Sequence, residues 1–141
     1  MRKPSTALLL AVSLLAGCGG KGDKQQSLDL TFSQQSTVTP TTVVVGQDFQ
    51  VGWNLFNADN LGGHVDNVAW TISRDGVPNA YSGTVPSIAS RQVIAMSFVD
   101  HQPVGPHTYV ITIDPANAVH ELSENNNTRV VTVTVAPLVV Q

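Results

Sequence analysis

Internal disulfides are closed to this chain, because its 141 residues include a single cysteine, Cys18. Charge is scarce as well: Asp, Glu, Lys and Arg make up 12 % of the residues, and after Arg2-Lys3 no two basic residues are adjacent. Binding to nucleic acid by phosphate neutralisation needs a basic patch, so that class of partner is disfavoured. No apolar run approaches the ~20 residues of a membrane-spanning helix. The longest, Ala7–Leu15, is about half that length, and Val130–Val135 is shorter still, alternates with threonine and is soon followed by Pro137. Catalytic patterns are missing too. There is no Gly-x-Ser-x-Gly elbow and no phosphate-binding glycine loop, and the one close acidic pair, Glu121 and Glu124, fits solvated turn residues better than a tuned acid–base dyad. An enzyme is not expected.

The apolar run at the start is preceded by Arg2 and Lys3 and followed by Leu15-Ala16-Gly17-Cys18. A basic start, a short apolar core and small residues before a cut site make a secretory signal. With cysteine just after the cut, the segment resembles the lipobox of bacterial lipoproteins. That resemblance implies cleavage after Gly17, diacylglycerol on the Cys18 thiol and acylation of the new amino terminus. The membrane is then the first partner, and the address is the cell envelope. Gly19, where an aspartate would favour inner-membrane retention, implies outer-membrane sorting in a Gram-negative cell. Removal of residues 1–17 leaves five basic residues against ten acidic ones, a net charge near −5. Residues 18–27 read as the lipidated cysteine and a polar, glycine-rich tether. The tether reaches about 30 Å at ~3.3–3.6 Å per residue. Residues 28–136 have the size of one domain, and 137–141 form a tail.

Within 28–136 the apolar residues alternate with polar ones: Leu28, Leu30 and Phe32; Phe49, Val51, Trp53 and Leu55; Val68, Trp70 and Ile72; Ile94, Met96 and Phe98; Tyr109, Ile111 and Ile113; Val131, Val133 and Val135. A period of two predicts strands with one buried and one solvated face. Turn-forming residues separate the runs, and Asp75-Gly76 is a strong two-residue hairpin signal. Pro40 and Pro86 belong at edges or strand breaks. About seven short antiparallel strands predict an all-β, immunoglobulin-like β-sandwich. Trp70 is expected between the sheets, and Tyr109, two residues before core Ile111, sits as in a tyrosine corner. Val51 and Ile111 would occupy the places of an inter-sheet disulfide.

The segment Asp114-Pro115-Ala116-Asn117-Ala118-Val119-His120-Glu121-Leu122-Ser123-Glu124-Asn125-Asn126-Asn127 joins the last two strands. It resembles the signature of the CARDB domain, a bacterial cell-adhesion-related module. The likeness extends over about residues 40–136 and implies an immunoglobulin-like sandwich engaged in adhesion or protein contact. Two readings of the polar residues stand side by side. In the structural one, Asp114 and Asn117 cap backbone N–H groups of a tight turn, Glu121, Glu124 and Asn125 satisfy the loop, and Asn126 or Asn127 takes a positive φ. In the other, oxygens of Asp114, Asn117, Glu121 and Glu124 converge on Ca²⁺, which wants ~6–8 oxygen ligands. The spacing is not that of an EF-hand loop, which favours the structural reading, and no metal ligand set is assigned.

His101 and His107 flank a proline turn and read as a solvated pair rather than as a zinc site, which wants four ligands. A non-enzymatic, lipid-anchored binding or adhesion module is therefore the leading expectation, with protein as its partner. The alternatives are an accessory lipoprotein of a larger envelope complex and a carbohydrate-binding module. The last is weakened because Trp53, Trp70 and Tyr109 fall on core faces, leaving Tyr81 alone for stacking.

Overall fold

Nine strands build two sheets in a computed structural model that describes residues 28–140. Cys18 and Gly17 lie outside the described residues. The strands are β1 (Leu30–Phe32), β2 (Thr37–Thr39), β3 (Val43–Val44), β4 (Phe49–Asn57), β5 (His64–Arg74), β6 (Val77–Ala89), β7 (Val93–Asp100), β8 (Gly105–Ile113) and β9 (Thr128–Ala136). One sheet centres on β4, with β1 and β2 along one side and β7 along the other. The second runs β3-β9-β8-β5-β6. The all-β sandwich is as the alternation predicts, with one departure from a purely antiparallel pattern: β3 crosses to the second sheet and pairs parallel to β9.

Period two does the sorting. Along β4, Phe49, Val51, Trp53 and Leu55 face inward and are buried, while Gln50, Gly52 and Asn54 face out. From the opposite sheet, Tyr109, Ile111 and Ile113 of β8 meet them, all essentially without exposure. Val51 and Ile111 are both fully buried, so apolar packing fills the place where related sandwiches put a disulfide. An aromatic chain runs through the middle, with Trp53 edge-on to Trp70 at 5.5 Å and Phe98 at 5.2 Å from Tyr109. Such pairs add about 0.5–1.5 kcal/mol each beyond area burial. Trp70 is half-buried rather than enclosed: its strand pairs with β8 on one side, but on the other with the edge strand β6, where the residue opposite is Gly83.

The Asp75-Gly76 turn joins β5 to β6 with positive φ at both residues, 50° and 82°. That is the hairpin geometry whose twist matches the strands it connects. Pro86 lies on β6, which pairs only with β5, so its missing N–H interrupts no second ladder. Opposite Trp70 on β6 stands Gly83. A Cβ there would lie 2.6 Å from Cζ2 and 2.8 Å from Cε2 of the indole. The ring is rigid and already wedged against Trp53, so Gly83→Ala is expected to cost about 1–3 kcal/mol. Urea unfolding would read the loss, and tryptophan emission would shift as the indole is displaced.

Candidate functional site

Two polar assemblies stand at the ends of the sandwich. The first is the segment between β8 and β9. Asp114 is buried and adopts φ 44°, and its carboxylate accepts the N–H groups of Ala118 (3.1 Å) and Val119 (2.7 Å). Its own carbonyl accepts from the Asn117 N–H at 3.0 Å. Asn117 serves the turn through its backbone, at φ 48°, and its exposed side chain caps nothing. The positive φ values therefore belong to Asp114 and Asn117, not to Asn126 or Asn127 as the sequence suggested. Asn residues tolerate the left-handed region wherever the chain reverses, and here the reversal comes at the start of the segment rather than its end.

Further along, the segment reaches back to the first strand. Glu121 accepts from the Leu30 N–H at 2.5 Å and from the Asn127 amide at 2.9 Å. The Leu122 N–H donates to the Leu28 carbonyl at 2.9 Å, and the Asn126 amide to Asp29 at 2.7 Å. Glu124 accepts the Glu121 N–H at 3.1 Å, whereas Asn125 is exposed and adds no side-chain bond. The result is a polar brace that fastens β1 to the β8–β9 connection. The side-chain amide oxygens of Asn126 and Asn127 are buried without a partner.

Burial, supported by the neighbouring Glu124 and Asp114 charges, pushes the Glu121 carboxyl up to about 7 against the pull of its two hydrogen bonds. Its folded pKa thus exceeds the ordinary 4.5, so the folded state holds more protons than the unfolded one between these values. Stability therefore falls as pH rises from about 4.5 to 7. Glu121→Gln keeps an acceptor for Leu30, and the Asn127 amide can turn its unpartnered carbonyl toward the new NH₂. The variant is expected to narrow the gap in melting midpoint between pH 5 and pH 7.5 by about 4 °C, worth about 1 kcal/mol in a domain of this size.

The four oxygens considered for calcium do not meet. Asp114 is spent on its own turn and Glu121 on β1. Among the described residues no three His, Cys, Asp or Glu side chains are grouped to hold an ion.

The second assembly surrounds Asp100, at the end of β7. Its carboxylate accepts from the Tyr109 hydroxyl at 2.7 Å, from the Arg74 guanidinium at 3.2 and 3.3 Å, and from the Gln102 amide at 2.9 and 3.0 Å. The expected tyrosine corner is present in a modified form, since the hydroxyl bonds a carboxylate nine residues upstream instead of a backbone group. Close by, His107 has Nδ1 at 2.8 Å from Asp75 and Nε2 at 2.9 Å from the Pro103 carbonyl. Both partners are acceptors, so the ring is best satisfied as imidazolium. Burial alone would lower its pKa, but Asp75 and Pro103 outweigh burial and hold it above the usual histidine range. His101 turns instead to Asp48, so the two histidines share no ligand.

The turn-forming composition of 57–63 marks a loop in the sequence but not the burial of its polar residues. Asn57 and Asp59 are buried there, and the Asp59 carboxylate accepts from the Leu61 N–H at 2.9 Å and the Gly63 N–H at 2.6 Å. Asn-x-Asp ahead of Gly62-Gly63 was the available signal for such a self-capped loop.

A CARDB family profile matches residues 27–131, most of the chain and nearly all of the described fold. The chain belongs to the CARDB family. Curated proteins give no match. Among solved structures, the CARDB domain of a Pyrococcus furiosus protein, crystallised with di-metal ions, aligns with 79 % of this chain and 96 % of its own. Identity is 24 % and the TM-score 0.68. A domain of a candidate cell-surface protein from Methanosarcina acetivorans aligns with 78 % of this chain and 93 % of its own, at 25 % identity and a TM-score of 0.60. The metal ions are a property of the first of these. In this CARDB domain the carboxylates of Asp114, Glu121 and Glu124 in the 114–127 segment accept backbone N–H groups.

Proposed function

We propose that this CARDB domain is a non-catalytic binding module, held at the cell envelope by lipid on Cys18 and engaged in contact of the adhesion type. One observation carries the reading. Each buried ionisable side chain among the described residues, namely Asp59, Asp100, His107, Tyr109 and Asp114, already spends its polar atoms on the fold itself. The half-buried Glu121, whose carboxyl is raised to about 7, is likewise bonded on both oxygens, to the Leu30 N–H and the Asn127 amide, which favours a structural over a catalytic role. The brace between β1 and the 114–127 segment supports a tethered role. A chain anchored ahead of residue 28 delivers any pull to β1, which has only three residues in the sheet. Bonds from Glu121, Leu122 and Asn126 share that load.

Intact-mass analysis of protein extracted from membranes tests the anchor, and pull-down from envelope extracts tests the binding role. A mass expected for acylated Cys18 and recovery of a partner support the proposal. An unmodified Cys18, or hydrolytic turnover on a substrate panel, overturns it.

A further inference from the structure

The outward face of the β4 sheet breaks the rules of strand composition. On β4 the successive outward positions are Gln50, Gly52 and Asn54. Glycine and asparagine are depleted in strands, and β4 is the central strand of its sheet, paired on both sides. Strands β8 and β9 of the other sheet obey those rules on their outward face, with Thr108, Val110 and Thr112 on β8 and Thr128, Val130, Thr132 and Thr134 on β9. A local rule broken in the middle of a regular sheet marks a position set by something other than folding.

The broken rule produces a cleft. Thr37, Gly52 and Ser97 are cross-strand neighbours, as are Asn54 and Ala95, so small residues form a trough across the sheet. Gln50 and Asn54 rise along β4 on either side of Gly52, and Gln34 and Gln35 close the cleft from the β1–β2 connection. Its volume is about 290 Å³, just below the roughly 300–1,000 Å³ usual for ligand sites. A side chain at position 52 would come within 2.7 Å of the Thr37 hydroxyl, so the glycine keeps the trough open with Thr37 at its edge.

The lining is all amide and hydroxyl among its polar groups, and none of it is charged. Two internal bonds orient the amides: Gln50 donates to Ser97 at 2.7 Å, and Asn54 donates to Gln34 at 3.0 Å. Each bond uses one end of an amide and leaves the other end open. The carbonyls of Gln50 and Asn54, the NH₂ of Gln34 and the hydroxyls of Thr37 and Thr39 take no side-chain partner among the described residues. Fixed donors and acceptors side by side match vicinal hydroxyl groups, which both donate and accept.

We propose that this cleft binds a neutral saccharide chain. The inference rests on the reading of the domain as a binding module and supplies its ligand class. An extended peptide fits less well. The trough runs across strands on a sheet face, so a chain lying in it meets side chains rather than the open backbone edges of β2 and β7, and ladder bonds along such an edge are what strand addition uses. An acidic polysaccharide would find no cation in the lining.

The test is ¹⁵N-resolved NMR of the full chain in phosphocholine micelles, since a maltoside detergent would compete. Cellohexaose, maltohexaose and chitohexaose are titrated separately, with hexagalacturonate as the charged control. At least one neutral hexaose is expected to shift the side-chain NH₂ signals of Gln34, Gln50 and Asn54, with about millimolar affinity. The double variant Gln50→Ala/Asn54→Ala is expected to bind roughly ten- to thirtyfold more weakly, the worth of two amide contacts. Its melting midpoint should stay near that of the parent, because both side chains point outward. The proposal is overturned if no neutral hexaose moves these signals beyond the control, or if the double variant binds undiminished. It is equally overturned if a Thr-Val decapeptide moves the same signals more strongly. None of these outcomes depends on the state of Cys18, so failure here is distinct from failure of the anchored-module reading.

Discussion

Asp100→Ala is expected to destabilise the domain by about 3–5 kcal/mol, the cost of removing one partner of a buried hydrogen-bonded charge. The substitution takes one carboxylate from four neighbours at once. The Tyr109 hydroxyl belongs to a fully buried residue and loses its acceptor. The Arg74 guanidinium, about one-third exposed, loses its counter-charge, and the Gln102 amide and His101 N–H lose theirs. Water reaches Arg74 but not Tyr109, so the hydroxyl is the main debtor at about 1–3 kcal/mol. Tyr109→Phe in the same background should therefore restore part of the loss, and a double-mutant cycle by urea unfolding should show coupling of about 1 kcal/mol or more. Additive effects would mean that the hydroxyl does not depend on Asp100.

The same carboxyl shapes the acid limb of stability. Burial pushes its pKa up, but bonds from Tyr109, His101 and Gln102 outweigh burial and hold it at about 2, below the ordinary 3.8. A folded pKa below the unfolded one gives stability that is present above pH 3.8 and lost as pH falls toward 2. Glu121 works in the opposite direction, losing stability as pH rises from about 4.5 to 7. His107 adds to that loss. Its folded pKa is raised, so its contribution is complete below the ordinary 6.5 and fades as pH climbs through the folded value. The three together place the stability optimum near pH 4–5, on the acid side for a domain of this kind. Calorimetric melting from pH 2 to pH 9 would locate it, and Asp100→Asn should flatten only the acid side.

Where a residue's role is decided by its sequence neighbours, the sequence displays it. Phe49, Val51, Trp53 and Leu55 announce their inward face by alternation alone, and Asp75-Gly76 announces its turn because only two residues are involved. Tyr109 could be placed in the core from its spacing to Ile111. Its hydroxyl partner could not, because Asp100 lies across a loop on another strand. β6 escaped the same reading. It is long, but only Val85 and Ile88 along it are buried, so an edge strand with two prolines and a glycine leaves no periodic trace. Glu121 was visible as a polar loop residue, yet its bond to Leu30 spans 91 positions and nothing local predicts it. The cleft at Gly52 is the extreme case. Its walls come from β2, β4, β7 and the β1–β2 connection, and each piece alone reads as ordinary solvated surface.

Asp114→Ala separates the two readings of the segment that gives the family its signature. The carboxylate satisfies two N–H groups, Ala118 and Val119, and holds a left-handed backbone that alanine tolerates poorly. Loss of two capping bonds at about 1 kcal/mol each, with about 1 kcal/mol for the left-handed alanine, predicts destabilisation of about 3 kcal/mol. Asp114→Asn retains one acceptor and the backbone tolerance, so it should cost about 1 kcal/mol. The damage should also travel. Glu121 and Leu122 hang from this turn and hold Leu28 and Leu30, so hydrogen exchange at residues 28–32 should quicken in the alanine variant before the remainder of the core responds. A metal-holding Asp114 predicts something different in the parent protein. A bound ion stabilises the folded state in proportion to the logarithm of its concentration, so chelation would lower the melting midpoint. With both carboxylate oxygens given to N–H groups, the midpoint is expected to be the same with EDTA and with millimolar Ca²⁺. A shift of several degrees between the two would return those oxygens to a cation and end the capping account.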